Sequence, residues 1–175
     1  MLNLLLVIDM QKDFVDGALG TPEAVKITGN VVDKVKSFDG EVIFTRDTHF
    51  EDYLNTQEGR NLPVVHCIKD TEGWQLIPEL ESFRLEHACK VFDKPSFGSV
   101  ELAEYVGGLY RAGELESVTV IGLCTDICVV SNALVIKAFA PELPIYTDAS
   151  CCAGVTPEKH AAALETMRSC QIGEK

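Results

Sequence analysis

Leu2 to Ile8 is an apolar run with the length of a strand buried on both faces, and a carboxylate, Asp9, closes it. A strand apolar on both sides belongs in a parallel sheet covered by helices, because only there are both faces dry. The rest of the chain keeps to that pattern. Thr21-Pro22-Glu23 reads as N-cap, first-turn proline and first-turn acid of a helix whose Ala24, Ile27, Val31, Val35 and Phe38 recur at helical spacing, ended by Asp39-Gly40. Glu41 to Thr45 gives a second strand, and a short helix is expected near Pro78 to Ser82. A strand over Glu86 to Phe92, a helix over Val100 to Tyr110, a strong buried strand over Ser117 to Leu123 and a helix over Asp126 to Phe139 follow. Leu143 to Thr147 is a further strand, and Pro157 to Met167 a final helix capped by Thr156. Alternating strands and helices predict an α/β fold, a three-layer, doubly wound, mainly parallel sheet of five to six strands. Residues 1–175, 46% of them hydrophobic, are read as a single domain.

Between the second strand and the Pro78 helix, Arg46 to Trp74 has no clear periodicity but is rich in polar, aromatic and histidine residues. Long loops of that kind are as a rule functional or disordered, and Phe50, Tyr53, Pro63, Val64, Val65 and Trp74 are not a disordered composition, so an ordered loop lining a site is expected. A net charge of -12 and the absence of any basic stretch exclude nucleic acid as a partner. The Leu2 to Ile8 run lacks a basic flank and is too short for a signal sequence, and no membrane span is present. Seven cysteines, an odd count without secretory context, read as reduced thiols, and the expected compartment is the cytoplasm.

Parallel sheets bind ligands beyond the carboxyl ends of their strands, and several chemically able residues fall there: Asp9, Asp47, Lys94 and the turn from Cys124 to Cys128. A thiol at a helix start meets unpaired N–H groups and the positive end of the helix dipole, which favour the thiolate and offer an oxyanion hole. Composition alone leaves Cys128 as one more small buried residue, Asp9 as a turn residue and Lys94 as a solvated cation. Asp47 and His49 occupy same-side positions of an extended chain, and His66 on a return segment can complete a facial set of two imidazoles and a carboxylate, although on spacing alone surface histidines are the commoner reading. Such a set, with positions left open, suits a catalytic divalent metal; zinc is expected, and iron or manganese are compatible with it. Glu58 is set aside as a fourth ligand, and Cys67 is a soft competitor.

Three ordered segments, Asp9-Met-Gln-Lys-Asp-Phe14, Lys94-Pro-Ser-Phe-Gly-Ser99 and Gly122-Leu-Cys-Thr-Asp-Ile-Cys128-Val, resemble the signatures of the isochorismatase-like cysteine hydrolases. The likeness runs from about residue 4 to residue 155. It implies that Cys128 is the nucleophile, Asp9 the acid/base and Lys94 its charged partner. It also implies a cis peptide at Leu123–Cys124, with the N–H groups of Cys124 and Cys128 turned toward one oxyanion. Within that family the Asp47, His49, His66 arrangement resembles the nicotinamidase/pyrazinamidase branch, whose metal holds the pyridine nitrogen. The branch implies deamidation of nicotinamide in NAD salvage, no organic cofactor, and a homo-oligomer, dimer or tetramer. Phe14, Leu19, Trp74 and Phe97 are candidate walls around a flat ring.

The loop between His49 and His66 is short for that branch, so another small amide, a ureido or a carbamoyl compound is the alternative substrate. A non-catalytic small-ligand-binding protein on the same fold is the alternative of another class. Enol-ether hydrolysis, as in true isochorismatases, has no use for this metal set. His87 and His160 are read as surface residues, and Cys151 and Cys152 as small buried residues after the last strand.

Overall fold

In the computed structural model, which describes residues 1–175, the run Leu2–Ile8 forms strand β1, with Leu4 to Ile8 fully buried. A short helix, α1 (Lys12–Val15), leads to Thr21, whose Oγ1 accepts the Ala24 N–H at 3.0 Å and so opens α2 (Pro22–Ser37). Ala24, Ile27, Val31 and Val35 are buried as their spacing predicts, while Phe38 stands one residue beyond the helix. Then follow β2 (Glu41–Asp47), α3 (Gln57–Asn61), α4 (Pro78–Glu86), β3 (Val91–Lys94), α5 (Val100–Arg111) and β4 (Leu115–Leu123). The chain ends with α6 (Val130–Phe139), β5 (Ile145–Ala153), α7 (Pro157–Ser169) and β6 (Gly173–Glu174). No helix is long and apolar enough to cross a membrane.

All strand pairings are parallel, in the order β3-β2-β1-β4-β5-β6, with helices on both faces. From β1 the winding runs one way through β2 and β3, and from β4 it runs the other way. The reversal therefore falls between β1 and β4, and sheets of this kind bind ligands in the crevice beyond the strand ends at such a point. Gly122 makes that junction possible. It sits at φ +116° opposite Ile8, and a Cβ there would lie 2.2 Å from the Ile8 carbonyl oxygen, so no other residue lets β1 and β4 close at this register.

Four elements depart from the sequence expectation. The strand expected over Glu86 to Phe92 starts later, at Val91, because α4 continues to Glu86; an Arg84–Glu81 ion pair one turn apart supports its end. The expected helix from Asp126 opens instead with a single π-type turn, Thr125–Val129, and becomes α-helical at Val130. Strand β5 runs on to Ala153, so Cys151 and Cys152 lie within it, 2% and 3% exposed, rather than after it. Finally, Arg46 to Trp74 carries a 3-10 turn at Tyr53–Asn55 and α3, both too short to register as periodicity.

Lys34 of α2 fastens that helix to β5 through a 2.8 Å ion pair with Asp148. Burial alone would raise the Asp148 carboxyl, but hydrogen bonds from Lys34 and Ser150 outweigh it and hold it below the usual carboxylate range. A carboxylate with a lowered pKa in the fold stabilises fully above its unfolded value and loses that contribution as pH falls through the folded one. Asp148→Asn should therefore cost about 1 kcal/mol at neutral pH, for a pair still partly open to water. Urea titrations should show that gap closing as pH falls through the lowered folded-state pKa of Asp148, where wild type loses the same contribution.

Candidate active site

Four strand ends converge on the crevice. Asp9 follows β1, Asp47 and Lys94 are the last residues of β2 and β3, and β4 passes through the cis Leu123–Cys124 peptide into the turn that holds Cys128. Asp9 adopts φ +48°, a conformation aspartate tolerates better than bulkier residues. Thr45 fixes it there: its Oγ1 donates to Asp9 Oδ1 at 2.6 Å and accepts the Asp9 N–H at 3.2 Å. Lys94 Nζ lies 2.6 Å from Asp9 Oδ2, 3.0 Å from the Ser96 carbonyl oxygen, and 3.4 Å from both Cys128 Sγ and Asp47 Oδ1. Asp9, Lys94 and Cys128 are 0%, 1% and 5% exposed, so these charges meet in a dry interior.

Burial dominates the titration of each group. It pushes the Cys128 thiol well above its ordinary range; Lys94 opposes the rise, and the Asp9 and Asp47 carboxylates add to it. Asp9 is also raised, by burial first and by Asp47, with Lys94 pulling the other way. Burial alone would lower Lys94, but the charges of Asp9, Cys128 and Asp47 together hold it above its usual value. Lys94 therefore favours its charged form next to Asp9, and burial favours the protonated thiol at Cys128. A preformed thiolate, expected from a thiol at a helix start, is not favoured: Cys128 is the fourth residue of a buried π-type turn.

Beside this cluster, Asp47, His49, Glu58 and His66 each offer one ligand atom, all within 4.8 Å of one another. A two-bond parallel bridge assembles them. The His49 N–H donates to the Cys67 carbonyl and the Lys69 N–H to that of His49, which draws the His66 strand alongside. His49 Nε2 is 3.0 Å and His66 Nε2 3.5 Å from Asp47 Oδ2; Glu58 Oε1 is 3.6 Å and 3.8 Å from the same two nitrogens. His66 Nδ1 meets the Val64 carbonyl at 2.7 Å, so Nδ1 carries the proton and Nε2 presents its lone pair to the group. Two carboxylates whose oxygens converge need protons or a cation between them, and an imidazole turning a lone pair to the same point leaves that part to a cation. The donor set therefore fits a divalent metal.

Glu58, set aside on spacing, belongs to the group, because the Thr56-capped helix α3 carries it back over His49. Cys67 does not belong. It is buried next to His66, with its backbone N–H donating to Asp13 Oδ2 at 2.7 Å.

A cavity of about 310 Å³ is lined by Cys124, Cys128, Asp47, Glu58 and His66, with Phe14, Leu19 and Phe97 among its apolar walls. Trp74, expected among those walls, lies elsewhere. Its indole N–H donates to Thr48 Oγ1 at 2.9 Å and Arg46 stacks on its ring at 3.6 Å, which together turn it into the protein. His87 is exposed, as read, whereas His160 is half-buried with Nδ1 2.7 Å from Thr125 Oγ1.

Three buried residues that order the site were not singled out by the sequence reading. Thr45 is a strand residue with ordinary propensity. Gln11, wholly buried, receives the Asp47 N–H on Oε1 at 2.7 Å and donates Nε2 to the Asp47 and Trp74 carbonyls at 2.9 Å each, locking the end of β2 to the segment after β1. Asn132 accepts the Ser99 N–H at 2.9 Å and donates to the Phe97 and Cys128 carbonyls at 3.0 and 2.8 Å, tying the Lys94 loop to the Cys128 turn. A polar residue on the apolar face of a helix, as Asn132 is on α6, was the one available hint.

Compared with known proteins, residues 3–173 match the isochorismatase domain model. The nicotinamidase of Escherichia coli K12 is 26% identical over 194 aligned residues, covering 93% of this chain and 89% of that protein. The crystal structure of a nicotinamidase/pyrazinamidase from Bacillus subtilis superposes with a TM-score of 0.86 at 26% identity, covering 99% of each chain. A pyrazinamidase of Pyrococcus horikoshii in complex with zinc gives 0.80 at 27% identity, covering 100% of this chain and 99% of that one.

Proposed function

The chain belongs to the isochorismatase domain family, and on that footing we propose that it hydrolyses nicotinamide to nicotinate and ammonia through Asp9, Lys94 and Cys128. The observation that carries this reading is that one small cavity is lined both by Cys128 and by three of the four converging metal-ligand candidates. A flat ring bearing a carboxamide at one end and a nitrogen at the other has the shape and chemistry for such a space. Zinc, or iron or manganese, held by Asp47, His49, Glu58 and His66 would supply a Lewis-acid anchor for the ring nitrogen.

The chain's own groups account for the chemistry. Asp9 takes the Cys128 thiol proton, and because the negative charge only moves from one neighbour of Lys94 to the other, the transfer leaves no uncompensated charge. Lys94, within 3.4 Å of Sγ and 2.6 Å of Asp9, stays charged and stabilises whichever of the two is the anion. The sulfur forms a bond to the amide carbon, and the carbonyl π electrons move to oxygen. The Cys124 N–H, which makes no hydrogen bond within the chain, and the Cys128 N–H receive that oxyanion. As the tetrahedral centre collapses, the C–N bond breaks and Asp9 returns the proton to the leaving nitrogen, releasing ammonia. Asp9 then deprotonates a water, which attacks the thioester; the C–S bond breaks and the thiol is regenerated.

A second reading, a longer ureido or carbamoyl substrate, is favoured by one feature. A groove of about 580 Å³ meets the cavity at Glu58, Leu62, Phe97 and Ile127 and offers polar lining from Thr56, Gln57, Asn61 and Ser96.

The test is ammonia release from nicotinamide by the purified protein, before and after chelation and with Zn²⁺, Mn²⁺ or Fe²⁺ added back. The expected result is release that chelation suppresses by at least about tenfold and one of the metals restores. No release under any metal condition rejects nicotinamide, and the same assay with ureido and carbamoyl acids then takes up the second reading.

A further inference from the structure

We propose that His160 is a positioning residue for the nucleophile turn: acting through Thr125, it fixes the backbone that carries the Cys124 N–H and the Cys128 thiol. The inference rests on the function proposed above and names a residue that the mechanism itself does not use.

The turn from Cys124 to Val129 is fastened in two halves. Its second half is held by its own backbone, since the Ile127 and Val129 N–H groups both donate to the Cys124 carbonyl, at 3.0 and 3.1 Å. Its first half is held from behind, by the segment joining β5 to α7. Thr125 is fully buried and its Oγ1 is paired with His160 Nδ1 at 2.7 Å, while Asp126 Oδ1 accepts the Val155 N–H at 3.0 Å. Between these two bonds lies Gly154, where a Cβ would be 2.7 Å from His160 N and 3.0 Å from Asp126 Oδ1. The segment leading into α7 is thus packed without clearance against the Asp126 carboxylate, two residues after Cys124.

A buried hydroxyl must find a partner, and His160 supplies the only side chain bonded to this one. Burial lowers the His160 pKa, with Glu174 and Asp126 opposing, so the imidazole is neutral and can accept from the Thr125 hydroxyl. Loss of the bond frees Thr125 to rotate toward another acceptor and loosens Cys124 with it. Catalysis of this type depends on donors preset within a few tenths of an ångström, so the cost falls on the chemical step rather than on substrate binding.

The experiment compares wild type, His160→Ala, His160→Asn, Thr125→Val and the double variant His160→Ala/Thr125→Val, all metal-loaded. Ammonia release from nicotinamide is measured together with hydrogen–deuterium exchange over residues 123–129. His160→Ala and Thr125→Val should each lower kcat about tenfold with KM within about twofold, and the double variant should be no slower than either, as expected of two groups sharing one bond. His160→Asn, which offers an acceptor near the place of Nδ1, should recover most of the loss. Exchange across the turn should be faster wherever the bond is missing. Unchanged kcat, multiplicative losses in the double variant, or a change confined to melting temperature overturns the proposal. If wild type releases no ammonia from nicotinamide, the substrate reading has failed and the exchange data decide: faster exchange in both single variants sustains the positioning role, and unchanged exchange rejects it.

Discussion

Cys128→Ala is expected to lower ammonia release by about 10⁴-fold or more, the scale seen when a covalent nucleophile is removed and only the oxyanion donors and binding contacts remain. The size of the effect follows from the surroundings of the thiol. No other sulfur lies within reach of Lys94, and Asp9, committed to the ion pair, has no second nucleophile to activate. Fold stability should change little, because alanine at this 5% exposed position removes one sulfur atom from a cavity wall. Cys128→Ser should be nearly as slow, since a hydroxyl is a far weaker acid than a thiol whose pKa is already raised. Rate assays paired with mass spectrometry of acid-quenched enzyme check the point: wild type should carry an acyl adduct on Cys128 and the alanine variant none. Undiminished ligand affinity with no adduct in wild type would support a binding protein instead.

Lys94→Met is expected to abolish activity and to destabilise the fold by about 3–5 kcal/mol, the usual cost of stranding a buried partner charge. In a chain of this length that is a drop of about 10 °C or more in melting temperature. The methionine strands the Asp9 carboxylate in a dry interior without the ammonium that pairs with it, and takes the same cation away from Asp47 Oδ1. Asp9 is raised even with Lys94 present, and it rises further without it. A carboxyl raised in the folded state contributes stability below its unfolded pKa and loses it as pH rises through the folded value. The variant's deficit should therefore be smaller at pH 5 than at pH 8. Lys94→Met/Asp9→Asn should recover much of the loss, giving a coupling energy of about 1–3 kcal/mol in a double-mutant cycle. Equal melting temperatures for wild type and Lys94→Met at pH 8 would show that the ion pair does not hold the site together.

The sheet was legible because its strands are apolar on both faces, and such runs have few other uses. The placement of Asp9, Lys94, Cys128, Asp47, His49 and His66 at or just beyond strand ends was legible from the strand pattern, while the roles proposed for them came from the resemblance of the three signature segments. Glu58 and Trp74 were misread for one common reason. Both lie in the aperiodic segment between β2 and α4, whose path is set by the His49–Ile68 bridge and by Gln11 reaching across to the end of β2. Contacts of that kind join residues far apart in sequence and leave no local pattern. The same holds for Asn132 and for His160, whose partner Thr125 is 35 residues away. Among helix residues, a histidine facing a buried hydroxyl is indistinguishable from one facing water until the helix is placed.

The position of β1 also bears on how the chain is made. Leu2 pairs with Leu115 and Ile8 with Gly122, so the central strand is synthesised more than a hundred residues before one of its two neighbours. At ribosomal speeds of about 5–20 residues per second, the five wholly buried residues Leu4 to Ile8 wait several seconds without β4 to cover that edge. During that interval the nascent chain carries an exposed apolar β-segment, the kind of sequence that chaperones shield and that seeds aggregation at high expression. Slower synthesis at low temperature lengthens that wait while weakening apolar association, so yield should depend more on chaperone supply than on the stability of the finished enzyme.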